Sequence, residues 1–143
     1  MLYYINKYRK EECTHTVAEK DIVSKYCKIR SEQLKNRFSY NEDDIHKAAT
    51  QLKYGVYIDP KKDFDIDGEP YYQPTCNEAI ATCPEVSSVD KTAKAIVDTI
   101  KNTDYWNCIG GADDFYNSWY NIGVGCHYSD GIWYACVALE VPI

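Results

Sequence analysis

Three aspartates alternate at Asp63, Asp65 and Asp67, and Gly68 follows them. Carboxylates at alternate positions can converge on a calcium ion, and glycine allows the sharp turn that such loops need. The pattern is incomplete. Its twelfth position is Pro74 rather than a bidentate glutamate, and Pro60 and Pro70 interrupt both flanks. Two readings stand open: an acidic solvated loop, or a Ca²⁺ site completed by Glu69 or a backbone carbonyl.

Nucleophilic catalysis needs a histidine beside a nucleophile. The only histidines are His15, His46 and His127. His127 follows Cys126 in a β-prone run, where successive side chains point to opposite faces, so the two make no dyad. His46 falls on a predicted helix six residues past Tyr40 and is a candidate to reach a cleft containing Glu78. A surface or capping histidine is the plainer reading.

Cys13, Cys27, Cys76, Cys83, Cys108, Cys126 and Cys136 make seven cysteines in 143 residues. That density points to an oxidising compartment, and so to an extracellular or secreted protein. No pair is spaced as CxxC, which argues against a zinc ribbon or a thioredoxin-type site. The odd count leaves one thiol unpaired or bonded between chains. The chain opens at Met1 without a basic and then apolar leader, so a signal peptide is expected to have been removed if the protein is exported.

These residues need elements to position them. Residues 1–12 read as a helix on Leu2, Ile5 and Tyr8. Residues 21–38 repeat the pattern, with Ile22, Tyr26, Ile29 and Gln33 on one stripe, Val23, Cys27, Leu34 and Phe38 beside it, and Asp21 as the N-cap. Residues 42–52 form a third helix on Ile45, Ala48, Ala49 and Leu52. Asn41 caps it, and Glu42, Asp43 and Asp44 suit its positive end. Residues 54–58 read as a short strand and 59–75 as loop. Thr75-Cys-Asn-Glu78 has capping-box form and predicts a short helix. Ser87 and Asp90 suggest another start, before a stripe of Ala93, Ile96, Val97 and Ile100. Ile122–Tyr128 and Ile132–Val141 read as a hairpin around Ser129-Asp130-Gly131. Helices, a loop-rich middle, a helix and a terminal hairpin make one α+β domain over residues 1–143.

The formal charge of −6 argues against nucleic-acid binding, which needs a basic face. No apolar run is long enough to span a membrane. Fourteen tyrosines against three phenylalanines favour half-buried surfaces. The clusters Tyr3, Tyr4 and Tyr8, and Tyr116, Trp119 and Tyr120, could line a lipid or glycan groove or a protein interface, or pack in the core.

Several motifs occur in an order that resembles a known family. Ile5-Asn-Lys-Tyr-Arg9 is similar to a first-helix HNxxR start. Ile29-Arg-Ser-Glu32 through Phe38-Ser-Tyr40 is similar to an RAxE…FSH segment, and Asn77-Glu-Ala-Ile-Ala81 to GENIA. Residues 94–109 resemble the helix leading to WxxSxxH. Ile122-Gly-Val-Gly125 with Trp133-Tyr-Ala-Cys136 resembles a terminal IGVG…YYVC hairpin. Together they resemble the CAP superfamily of cysteine-rich secretory, antigen 5 and pathogenesis-related proteins, almost end to end. The resemblance implies a three-layer α-β-α sandwich with a central antiparallel sheet.

It also implies a cavity where two histidines and two acidic residues can hold a divalent ion. Here Tyr40 stands at the first histidine position. Tyr105, or Trp106 after a one-residue gap, stands at the second. Glu78 keeps the family glutamate, and Asp98 is the candidate for the other acid. Neutral tyrosine replaces imidazole neither as a ligand nor as a base near neutral pH. The expectation is a degenerate site in a non-catalytic extracellular binding module for a protein, glycan or lipid. The alternatives are a structural subunit assembling through the Tyr-rich surface, as a homo-oligomer or filament, and a metal-dependent hydrolase using Glu78 as base and His46 as ligand.

The resemblance also suggests a disulfide between Cys126 and Cys136, since matching cysteines are bonded in several CAP relatives. A two-residue Asp130-Gly131 turn would set Cys126 opposite Ala135 and Cys136 on the other face, so bonding requires a bulge that shifts the pairing by one. Cys76 and Cys83 are the second candidate pair, with the predicted short helix holding them apart.

Overall fold

The computed structural model describes residues 1–12 and 14–142; Cys13 and Ile143 lie outside the described residues. Helix α1 (Leu2–Glu11) leads to the short strand β1 (Ala18–Glu19) and helix α2 (Asp21–Asn36). Helix α3 (Glu42–Leu52), strand β2 (Val56–Ile58), helix α4 (Pro60–Phe64) and strand β3 (Tyr71–Gln73) follow. Then come β4 (Cys76–Pro84), α5 (Val89–Lys101), α6 (Trp106–Ile109), α7 (Asp114–Asn117), β5 (Asn121–Ser129) and β6 (Ile132–Glu140).

The main sheet runs β1-β5-β6-β4, and β2 pairs with β3 in a separate ribbon. β1 lies parallel to β5, while β4 and β5 run antiparallel to β6. The sheet is therefore mixed, which corrects the expectation of an antiparallel one. The parallel member is a two-residue strand too short to read from side-chain alternation.

Side-chain alternation on β4 and β6 divides the core. Ala79, Ala81, Ala135, Val137 and Leu139 join residues of α1, α5 and α6 on one face. Ile80, Tyr134, Cys136 and Ala138 join α2 and α3 on the other. Helix α2 lies very close to β5. A Cβ on Gly123 would stand 2.3 Å from the Val23 carbonyl carbon, and one on Gly125 only 2.4 Å from that of Cys27. Only glycine admits the helix backbone there.

Local rules explain most helix ends. Asn41 accepts a hydrogen bond from the Asp44 amide and caps α3. Ser88, one residue past the expected Ser87, caps α5 through the Lys91 amide. Lys20 rather than Asp21 is the N-cap of α2, so Asp21 falls in the first turn. Within the expected loop, Asp59 caps α4 with Pro60 at its first position. The helix expected after Thr75 is instead strand β4. Nine residues of pairing with β6 and two buried faces outweigh the local capping pattern.

The hairpin turn holds Asp130 at φ 52° and Gly131 at φ 79°, and Ser129 pairs with Ile132. No bulge shifts the register. Cys126 lies opposite Ala135, and Cys136 lies opposite Gly125. Their side chains belong to cores on opposite faces, and both thiols are free. The Cys126–Cys136 disulfide is corrected on this ground. The Cys76–Cys83 pair fails as well, because both cysteines sit on extended β4, seven residues apart and in different cores.

Two tyrosines of α1 dock on α5. Tyr4 donates to Asp90 and Tyr8 to Asp98, whose other oxygen takes Lys94 at 2.8 Å. Partial burial disfavours the Asp98 charge, but the hydrogen bonds from Lys94 and Tyr8 outweigh it and hold its carboxyl below the usual range. A depressed folded pKa gives stability that is present above the unfolded value, about 3.9, and is lost as pH falls through the folded one. Asp98→Asn is therefore expected to flatten the acid limb of stability below about pH 4. Thermal melts across that range check it; equal acid limbs in both proteins would contradict it.

Candidate functional site

One cleft, with a volume of about 580 Å³, takes in Tyr40, Glu78 and Tyr105 together. Tyr40 comes from the α2–α3 connection, Glu78 from β4 and Tyr105 from the turn before α6. The Tyr40 and Tyr105 rings lie 5.2 Å apart, tilted by 44°. β4 is an edge strand, and the Tyr40 hydroxyl accepts from its Ile80 amide at 3.1 Å. That bond satisfies an edge donor and fixes the ring at the cleft. Burial, with the Tyr105 hydroxyl next to it, pushes the Tyr40 phenol far above neutral pH.

Glu78 is not free. The Arg30 Nε donates to both carboxylate oxygens, at 3.2 and 3.1 Å. The Arg30 side chain is fully buried and that of Glu78 is 8% exposed. Arg30 also donates to Gln33 Oε1 and to the Ser39 carbonyl. Burial works against its charge, but Glu78 more than compensates and holds the guanidinium above its ordinary pKa. On the other side, the Cys136 thiol donates to Glu78 Oε2 at 3.1 Å. The carboxylate is thus neutralised and its lone pairs are largely occupied.

Arg30 was not among the expected site residues, and Cys136 was expected in a disulfide rather than beside Glu78. One signal for Arg30 is its spacing. It falls four residues after Tyr26 and four before Leu34, on the stripe that α2 buries. An arginine there demands an acidic partner in the core.

The remaining lining is polar. Gln73, Asn77 and Asn107 contribute carboxamides, and Asp104 and Asp113 contribute carboxylates. Asp113 also caps α7 through the Phe115 amide. Among the described residues, no lysine or arginine lines the cleft. Cys108 lies in it, but burial pushes its thiol up to about 11, so it carries little thiolate at neutral pH.

As a donor set for a divalent ion the cleft is poor, since neutral phenols stand beside a carboxylate already claimed by Arg30. His46 is not in the lining. It hydrogen-bonds Gln73 Oε1 at 2.8 Å and stacks on Tyr71. It therefore positions a lining side chain rather than facing Glu78. Asp98 lies away from the cleft, in the contact between α1 and α5. Trp106 is buried, and its indole N–H donates to Glu12.

Two of the three aspartates of the middle segment shape α4. Asp63 accepts from the Asp59 amide, Asp65 ends the helix at φ 54°, and Asp67 is exposed. Among the described residues, no group of three or more His, Cys, Asp or Glu is arranged to hold a metal ion. No protein-family model matches the chain, and no curated protein matches it. Among the described residues no helix is long and apolar enough to cross a membrane.

Proposed function

We propose that this chain is a non-catalytic, extracellular binding module of the CAP type, and that the cleft between Tyr40 and Tyr105 takes a neutral oligosaccharide. The CAP three-layer arrangement is supported by helices on both faces of the main sheet. The observation that carries the binding reading is the state of Glu78. Its charge is consumed by Arg30 and its second oxygen by Cys136, so the cleft offers recognition groups but no poised base. The two lining cysteines offer little thiolate, since burial pushes Cys108 up to about 11 and Cys76 well above its ordinary range.

The ligand class follows from the walls. Two tilted tyrosine rings offer apolar faces, and three carboxamides offer paired donors and acceptors for hydroxyls. Carboxylates without basic partners in the lining repel phosphate, sulfate and anionic headgroups. The volume lies within the roughly 300–1,000 Å³ of small-ligand sites.

Calorimetric titration with chitotriose, cellotriose and mannotriose tests this reading. At least one is expected to bind, with affinity reduced roughly tenfold in Tyr105→Ala, the order of one aromatic contact. Absence of binding by all three, or undiminished binding in the variant, would sink it.

A second reading is assembly through aromatic surface. Phe115 and Tyr120 are 68% and 58% exposed near the cleft rim, beside the packed pair Tyr116 and Trp119. A protein partner or a second copy could cover that patch.

A further inference from the structure

A pairing of cysteines not expected from the sequence lies in the core between α2 and the sheet. Cys27 of α2 and Cys136 of β6 are both fully buried and share the core between α2 and the sheet. Cys136 lies directly across from Gly125. A Cβ on Gly125 would stand 2.4 Å from the Cys27 carbonyl carbon and 2.4 Å from the Lys28 nitrogen. The Cys27 backbone thus rests in the notch that this glycine leaves. Opposed residues of an antiparallel pair project from the same face, so the Cys136 side chain rises beside that notch. Both side chains are fully buried in this one core.

We propose that Cys27 and Cys136 are joined by a disulfide when the chain folds in the presence of a disulfide oxidant such as oxidised glutathione. Bridges need close, facing Cβ atoms, and the glycine notch seats the Cys27 backbone directly against the strand that pairs with Cys136. One thiolate attacks glutathione disulfide, breaking its S–S bond and releasing one glutathione thiolate. The second cysteine, deprotonated, attacks the mixed disulfide and releases the other. The protein loses two electrons and two protons, and two reduced glutathione molecules form.

Burial, the neighbouring Cys27 thiol and Glu78 push the Cys136 thiol well up from its ordinary range. The folded, reduced pair therefore holds little thiolate, and the bond forms during folding rather than afterwards. Once made, it ties α2, which carries Arg30, to the strand beneath Glu78. The bridge removes the thiol hydrogen that Cys136 gives Glu78 and leaves Arg30 as the donor to both carboxylate oxygens, so the inference does not depend on the ligand assigned to the cleft.

The test refolds the reduced full-length chain in a buffer of reduced and oxidised glutathione. Free thiols are then alkylated in denaturant, and the unreduced protein is digested and mapped by mass spectrometry. Chain produced in an oxidising secretory compartment is mapped in parallel. The expected product is one peptide pair containing Cys27 and Cys136, lighter by two hydrogens than its reduced form, with Cys126 and Cys83 alkylated. The bridged protein is expected to melt roughly 10 °C above its reduced form. Alkylation of both Cys27 and Cys136 in folded protein from either source, or bonding of Cys136 to any other cysteine, would overturn the proposal.

Discussion

Arg30→Ala is expected to lower stability by about 3–5 kcal/mol in urea unfolding, enough to leave much of the protein unfolded at physiological temperature. The cause is the charge left behind. Among the described residues, Glu78 would keep the Cys136 thiol at 3.1 Å as its one side-chain donor, with its side chain 8% exposed. The Gln33 side chain and the Ser39 carbonyl would lose their guanidinium donor in the same step. Removing both charges behaves differently. Arg30→Met combined with Glu78→Leu is expected to recover most of the loss, because well-packed apolar groups often replace a buried ion pair at little cost. The double variant is also expected to lose the order of the cleft floor. A single variant as stable as wild type, or a double variant less stable than the single, would contradict this role for the pair.

Gly125→Ala carries the second large effect, a loss of about 3 kcal/mol. The added methyl would fall 2.4 Å from two backbone atoms of α2, at Cys27 and Lys28. No side-chain rotation relieves a clash with backbone, so the helix must lift from the sheet. Lifting it also strains the hydrogen bond from the Val124 amide to Ser24 Oγ, 3.1 Å long. Gly131→Ala is the contrast. Nothing lies within 4 Å of a Cβ there, and only the positive φ of 79° opposes the change. A smaller loss of about 1 kcal/mol is expected at that position. Urea unfolding of both variants checks the order, and a larger loss at Gly131 than at Gly125 would reverse it.

These effects show which parts of the molecule were readable in the chain. Helices α2, α3 and α5 announce themselves because each buries one stripe and has polar ends, as with Ile45, Ala48, Ala49 and Leu52 behind the Asn41 cap. The hairpin is equally plain, since Asp130 and Gly131 both accept positive φ. Strand β4 was hidden. Its small residues Ala79 and Ala81 carry little preference, and the capping pattern at Thr75 mimics a helix start. Only pairing with β6, more than fifty residues later in the chain, decides its state. The cysteine pairing was misjudged for a related reason. The ordinary register of the two-residue turn separates Cys126 from Cys136, and no bulge intervenes to rescue the pair.

At the cleft, Tyr40, Glu78 and Tyr105 could be named through resemblance, and the structure brings them together. What sequence spacing could not convey is the state of the carboxylate. Arg30 lies 48 residues from Glu78 and Cys136 lies 58 residues beyond it, so their convergence is a property of the folded sheet and helix. The carboxamides of Gln73, Asn77 and Asn107 were equally silent, because isolated amides carry no pattern until three elements bring them into one cleft.

The most direct test of the central claim is a ¹⁵N NMR titration of the full chain with the three trisaccharides named above. Side-chain NH₂ resonances of Gln73, Asn77 and Asn107 report on the cleft walls, and those of Asn6, which lines a separate pocket beside α1, serve as controls. The account predicts saturable shifts at the three cleft amides with one of the sugars, no change at the controls, and loss of the response in Tyr105→Ala. Shifts confined to the controls, or no shift at any amide at millimolar sugar, would contradict it.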